Sequence, residues 1–152
     1  MQVVKDILKE KGNAAYGIGP ESTLLEALEL MSDKNIGAVL VVGDDGRVKG
    51  IFSERDLARK IIIKGRSIEA TKVKDIMTSQ VIYVDPATTV QDCMNLMTAK
   101  RIRHLPVMEG EKPVGLISIG DVVRALLKMQ DNLIHQKDFE IGQLERVITQ
   151  SP

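Results

Sequence analysis

Val4-Lys5-Asp6-Ile7 recurs as Val73-Lys74-Asp75-Ile76, and the recurrence extends through most of the 152 residues. Pro20, Thr23, Met31, Ile36 and Val41 match Pro86, Thr89, Met97, Ile102 and Val107, each 66 positions later. Gly50, Ser53, Asp56 and Arg59 match Gly115, Ser118, Asp121 and Arg124, each 65 positions later. The one lost residue falls where the turn Gly43-Asp44-Asp45-Gly46 faces Glu109-Gly110-Glu111-Lys112, and surface turns tolerate such changes. Identities held in two fixed registers mean that any fold must be built from two like units. The protein is a tandem repeat.

Each copy predicts the same order of elements. Thr23 followed by Glu26 is a capping-box signature, after which Leu24, Ala27, Leu28 and Met31 share one helical face. Val90, Cys93, Met94 and Met97 repeat that face. Ala38–Val42 is a short apolar run that predicts a buried strand, and the turn Gly43–Gly46 leads to a second strand over Val48–Ser53. Glu54–Ile63 then reads as a helix, with Asp56, Arg59 and Lys60 on a different face from Leu57 and Ile61. The second copy predicts strands over Leu105–Met108 and Pro113–Ser118 and a helix from about Ile119. Shorter strands are expected at Tyr16–Ile18 and Val81–Val84. The chain thus divides into repeat 1 (4–63), a polar linker (64–72), repeat 2 (73–127) and a C-terminal helical extension (128–152). Ile134, Ile141, Leu144 and Ile148 form an apolar stripe on that extension, weakened by Gly142. Such a stripe must bury itself on its own body or on a second chain, so a homodimer is expected.

Several function classes fall away on composition. The 21 basic residues balance the 21 acidic ones, and the few aromatics (Tyr16, Phe52, Tyr83, Phe139) are scattered. Neither a broad cationic face nor a stacking platform exists, so nucleic acid is not expected as the main partner. No apolar run approaches ~18 residues and the start resembles no leader, so the expectation is a cytoplasmic protein without a membrane partner. Cys93, the one cysteine, lies on an apolar helical stripe and reads as a buried structural thiol. Two histidines and one cysteine do not build a zinc site. Ser118, His104 and Asp121 are the residue types of a hydrolytic triad, but no Gly-x-Ser-x-Gly elbow or phosphate-gripping Gly-Lys-Ser/Thr loop occurs. No catalytic residue or metal is assigned, and no enzyme is expected.

The Pro-x-x-Thr-hydrophobic entry to each first helix, the strand entry Ile102–Val107, and Gly-hydrophobic-hydrophobic-Ser-x-x-Asp in both copies carry a family resemblance. From Val4 to about Leu127 the chain resembles a tandem pair of CBS (cystathionine-β-synthase) domains, the adenine-nucleotide-sensing module. The resemblance implies an α/β (α+β) fold. Two β-α-β-β-α repeats would pack sheet to sheet with pseudo-twofold symmetry, leaving two clefts between them.

Ser53 and Ser118 each sit where a strand meets a helix, and a helix N-terminus suits a phosphate. Asp56 and Asp121 follow by three residues, where a carboxylate can accept the two hydroxyls of a ribose. The same spacing also reads as ordinary helix capping. The resemblance implies phosphate contact for the serines and ribose contact for the aspartates. In the basic stretch Lys100-Arg101-Ile102-Arg103-His104 it implies that Arg103 and His104 reach phosphates, while Lys100 and Arg101 read as solvated helix-end charges. Repeat 1 has Gly37-Ala38 at those positions, so two unequal clefts are expected. Arg55, replaced by Gly120 in repeat 2, is expected to compensate in part. The adenine pocket implied by resemblance comprises Gly17, Ile18 and Leu40 in repeat 1, and Thr78, Val81, Ile82 and Pro106 in repeat 2. All seven also read as core. Pro106 lacks the N–H that Leu40 offers.

The resemblance thus implies a regulatory module that binds an adenine nucleotide and signals to an unidentified partner protein by changing shape. AMP stands first among the ligands, then ADP, ATP and NAD(H), with S-adenosylmethionine last. Two other classes stay open: a scaffold whose clefts bind nothing, and a hydrolase or transferase acting on nucleotides.

Overall fold

The computed structural model describes residues 2–12 and 15–134. Helix α1 (Val4–Lys11) leads to strand β1 (Gly17–Ile18), helix α2 (Leu24–Lys34) and the hairpin β2 (Ala38–Val42) and β3 (Val48–Ser53). A helical turn, α3 (Glu54–Asp56), then widens into a π-helix over Leu57–Ile62. After a 3₁₀ turn at Val73–Asp75 come helix α4 (Val90–Lys100), hairpin β4 (His104–Glu109) and β5 (Lys112–Ser118), and helix α5 (Ile119–Ile134). Ile141, Gly142, Leu144 and Ile148 lie outside the described residues, and so does most of the predicted extension.

Local chemistry starts and stops these elements as the repeat predicts. Thr23 accepts from the Glu26 N–H at 3.2 Å while the Glu26 carboxylate accepts from the Thr23 N–H at 3.2 Å, closing the capping box. Thr89 caps α4 through the Asp92 N–H at 3.0 Å. Asn35 and Arg101 end the paired helices in the left-handed region, at φ 53° and 54°. The hairpins share a register: Ala38 faces Ser53 and His104 faces Ser118, and both ladders bulge at equivalent points, Val41/Val42 and Val107/Met108.

One pair of elements differs, and the reason is a single residue. β1 runs parallel to β2, with the Leu40 N–H donating to the Tyr16 carbonyl at 3.0 Å. The predicted strand Val81–Val84 shrinks to one bridge, Val84 to Val107. The N–H that would donate to Ile82 belongs to Pro106, which has none.

The two copies exchange their leading segments. Val4 and Lys5 donate to the carbonyls of Thr88 and Pro86 (both 2.9 Å), at the start of repeat 2. Val73 and Lys74 donate to Ser22 and Pro20 (2.8 and 3.1 Å), the same two positions in repeat 1. Val4, Ile7 and Leu8 therefore join the core of Val90, Cys93, Met97, Leu105 and Val107. Val73 and Ile76 join the core of Leu24, Ala27, Met31, Val39 and Phe52. A third cluster, Ala38 and Leu40 of β2 with Leu116 of β5, welds the two sheets together. This paired exchange is the pseudo-twofold symmetry expected of the repeat.

Candidate functional site

The hairpin register places each Ser-x-x-Asp at the sheet end nearest the other repeat. In the first copy Asp56 Oδ2 accepts from the Ser53 N–H at 3.0 Å, and its Oδ1 lies 3.1 Å from Lys60 Nζ. The Thr78 hydroxyl is at 3.5 Å, delivered by a two-way backbone bridge between Thr78 and Ile51 (2.9 and 3.0 Å). These residues line a cleft of about 340 Å³ with Ile51, Arg55, Arg59, Arg101, Ile102, Arg103 and His104. Arg55, Arg59, Lys60, Arg101 and Arg103 outnumber Glu54 and Asp56 in that lining, so the cleft is strongly electropositive. Arg55 donates to the Arg101 carbonyl at 2.9 Å, tying repeat 1 to the left-handed end of α4.

In the second copy Asp121 Oδ2 accepts from the Ser118 N–H at 2.8 Å. Its cleft, about 380 Å³, is lined by Lys11, Tyr16, Ala38, His104, Leu116 and Arg124 beside Ser118. Lys11 Nζ lies 2.6 Å from Asp121 Oδ2, and Arg124 lies 2.6 Å from Oδ1. Burial raises the Asp121 carboxyl, but hydrogen bonds from Lys11 and the Ser118 N–H outweigh it and hold the group below its usual range. His104 lines both clefts. Its pKa is pushed below the ordinary histidine value by burial first, then by Lys11 and Arg103, with Asp121 pulling the other way.

The capping interpretation of Ser-x-x-Asp is realised in both copies, because serine and aspartate bond each other's backbone. Of the predicted site residues, Ser53, Arg55, Asp56, Thr78, Arg103 and His104 converge in one cleft, and Ser118, Asp121 and again His104 in the other. Thr78 stands beside Asp56 of repeat 1, a consequence of the exchanged segments. The remaining adenine-pocket residues line neither cleft. Leu40 is fully buried between the sheets, its N–H committed to Tyr16. Pro106 is buried in β4, with its carbonyl accepting from Val84. Gly17 and Ile18 pair with Leu40 and Val41. Ile82 packs on the second core, and Val81 faces a separate groove near Tyr83 and Arg47.

Sequence reasoning missed Lys11, Tyr16, Ile51, Arg59, Lys60, Ile102 and Arg124 as cleft residues, and placed Arg101 on a solvated helix end. The matched pair Arg59 and Arg124 was a usable signal; no motif marks Lys11. Cys93 is fully buried, as its stripe predicts, and burial pushes its thiol up to about 11. Among the described residues no helix is long and apolar enough to cross a membrane.

Two repeats with exchanged leading segments and a cleft on either side of a shared histidine define a paired-repeat module. The CBS domain family model matches residues 14–63 and 73–128, and the chain belongs to that family. It is 44% identical over 132 residues to "CBS domain-containing protein CBSX3, mitochondrial" of Arabidopsis thaliana, across 82% of this chain. The match spans 64% of that relative's length, just under two thirds. The crystal structure of the CBS-domain containing protein ATU1752 from Agrobacterium tumefaciens superposes with a TM-score of 0.77 at 40% identity. That match covers 81% of this chain and 92% of the other. The CBS domain pair of protein MJ0100, solved with 5′-methylthioadenosine and S-adenosyl-L-methionine, shares the fold at 23% identity and a TM-score of 0.76. It covers 85% of this chain and 98% of that one.

Proposed function

We propose that the chain is an adenine-nucleotide sensor, with the Asp56 cleft as its principal site and AMP, ADP, ATP or NAD(H) as ligands, AMP first. The carrying observation is the convergence of a hydroxyl-flanked carboxylate and five cationic side chains in one cleft formed by both repeats. Asp56 is the acceptor for a ribose diol. Arg55, Arg59, Arg103 and His104 are placed to meet phosphates, the arginines through their bidentate forks. Ile51 and Ile102 give the base an apolar wall, with Thr78 at its edge. Ser118 and Asp121 offer the same pair in the second cleft. Adenosine ligands in the MJ0100 pair support this chemical class. A ligand touching both repeats favours one relative arrangement of them, and a homodimer mate or target protein reads that shift.

Isothermal titration with AMP, ATP and NADH tests the reading. Asp56→Ala removes the acceptor of charge-assisted hydrogen bonds, so binding is expected to weaken ~10-fold or more. Asp56→Asn keeps the cap on Ser53 and should weaken it less. Silent wild-type titrations with all three nucleotides would overturn the proposal and favour a scaffold.

A further inference from the structure

The two clefts are built by the same repeat but closed by different chemistry. At Asp56 the neighbouring strand is held by backbone: the Ile51 carbonyl accepts from the Thr78 N–H at 2.9 Å, leaving a hydroxyl facing the carboxylate. At Asp121 the matching carbonyl, Leu116, accepts instead from Lys11 Nζ at 2.8 Å, and the same ammonium sits 2.6 Å from Asp121 Oδ2. One lysine side chain stands where repeat 1 has a β-bridge and a threonine. Arg124 takes the other carboxylate oxygen at 2.6 Å. Asp121 thus holds three hydrogen bonds, two of them to cations, which leaves about one of its roughly four acceptor positions for a diol that needs two. At Asp56 the partners are the Ser53 N–H at 3.0 Å, one cation, Lys60 Nζ at 3.1 Å, and two hydroxyls, Ser53 at 3.2 Å and Thr78 at 3.5 Å. The hydroxyls rotate aside cheaply, so one cation competes with a diol there against two at Asp121.

We propose that Lys11 is a cleft-specific gate: it occupies the ribose acceptor of the Asp121 cleft, so that the Asp56 cleft fills first. A ligand can enter the Asp121 cleft only by detaching the end of α1 from Asp121 and the Leu116 carbonyl. Lys11, Asp121 and Arg124 also line the groove between α1 and α5, where Glu10 pairs with Lys128. Filling of the second cleft is therefore felt along α1. This rests on the nucleotide reading above and deepens it by assigning an order of filling.

The test is AMP titration in an Asp56→Ala background, which weakens the Asp56 cleft so that the Asp121 cleft can be read. Adding Lys11→Met, which keeps the aliphatic stem, is expected to tighten AMP binding about fivefold, the weight of a partly exposed ion pair. Lys11→Arg should retain the weaker affinity. Lys128→Met, which loosens α1 without touching the carboxylate, should tighten binding less than Lys11→Met does. Thermal melts confirm that each variant is folded. Unchanged or weaker binding in Lys11→Met overturns the gate, the latter making Lys11 a phosphate anchor, while wild-type binding leaves the sensor reading intact. Tightening of equal size in Lys128→Met also overturns it. Silence of the wild type and every variant towards AMP, ATP and NADH overturns the sensor reading, and the gate falls with it.

Discussion

His104 shows how one side chain can belong to two sites at once. It starts β4 opposite Ser118, and its Nε2 lies 3.4 Å from where a Cβ on Gly37 would sit. Gly37 therefore gives the imidazole room between the clefts. Burial, Lys11 and Arg103 together depress its pKa in the folded state, so the ring is held neutral near pH 7. Below about pH 6.5 the unfolded chain takes up a proton that the folded chain resists. Stability contributed by neutral His104 is complete above that pH and is lost as pH falls through the folded pKa. Urea midpoints measured from pH 7.5 to 5 should decline across this window, and His104→Gln should flatten the decline. The depressed carboxyls of Asp121 and Glu21, the latter held at about 2 by Lys72 and Lys74, act only at lower pH. Parallel wild-type and variant profiles would show that His104 does not carry the effect.

Two matched glycines make the exchanged segments fit against the hairpins. A Cβ on Gly50 would lie 2.6 Å from Met77 Sδ and 2.8 Å from the Thr78 carbonyl, whereas one on Gly115 would meet Leu8 Cδ2 at 2.7 Å. Backbone cannot step aside as a leucine tip can. Gly50→Ala is expected to cost ~1–3 kcal/mol by overpacking, and Gly115→Ala less, with denaturant unfolding as the measure. Because Thr78 faces Asp56, Gly50→Ala should also weaken AMP binding; equal costs in the two variants would remove the backbone argument. Local signals made most elements legible beforehand: Thr23 with Glu26, the turn Gly43–Gly46, the apolar run Ala38–Val42. Three adjacent isoleucines, Ile61–Ile63, fit more than one helical period, and no local signal separates a π-helix from an α-helix there. Ile61 is buried while Ile62 and Ile63 stay 68% and 77% exposed. The missing strand at Val81–Val84 was encoded in Pro106, but only the pairing partner reveals what a lost N–H removes.

On the scale of the whole molecule, sequence order and packing order disagree. The repeated Val-Lys-Asp-Ile declares that two segments are equivalent without saying which core each one fills. Ser53, Asp56, Ser118 and Asp121 were legible because local spacing fixes their places. Lys11 was not, since α1 reaches the Asp121 cleft only by crossing into the other repeat. That crossing also makes the two cores interdependent: Val4, Ile7 and Leu8 seal repeat 2, while Val73 and Ile76 seal repeat 1. Leu8, 6% exposed, packs over Gly115 of β5, so Leu8→Ala should cost ~2–5 kcal/mol through the cavity it leaves. The loss should appear first in the distant half of the chain. Native-state hydrogen exchange is expected to show α4, β4 and β5 deprotected before β2 and β3, although the substitution lies nearer the latter in sequence. Earlier deprotection of β2 and β3 would mean that α1 stabilises its own repeat, and the shared-core account would fail. Opening of repeat 2 in turn frees α1, the element that carries Lys11, so cleft and core must respond together.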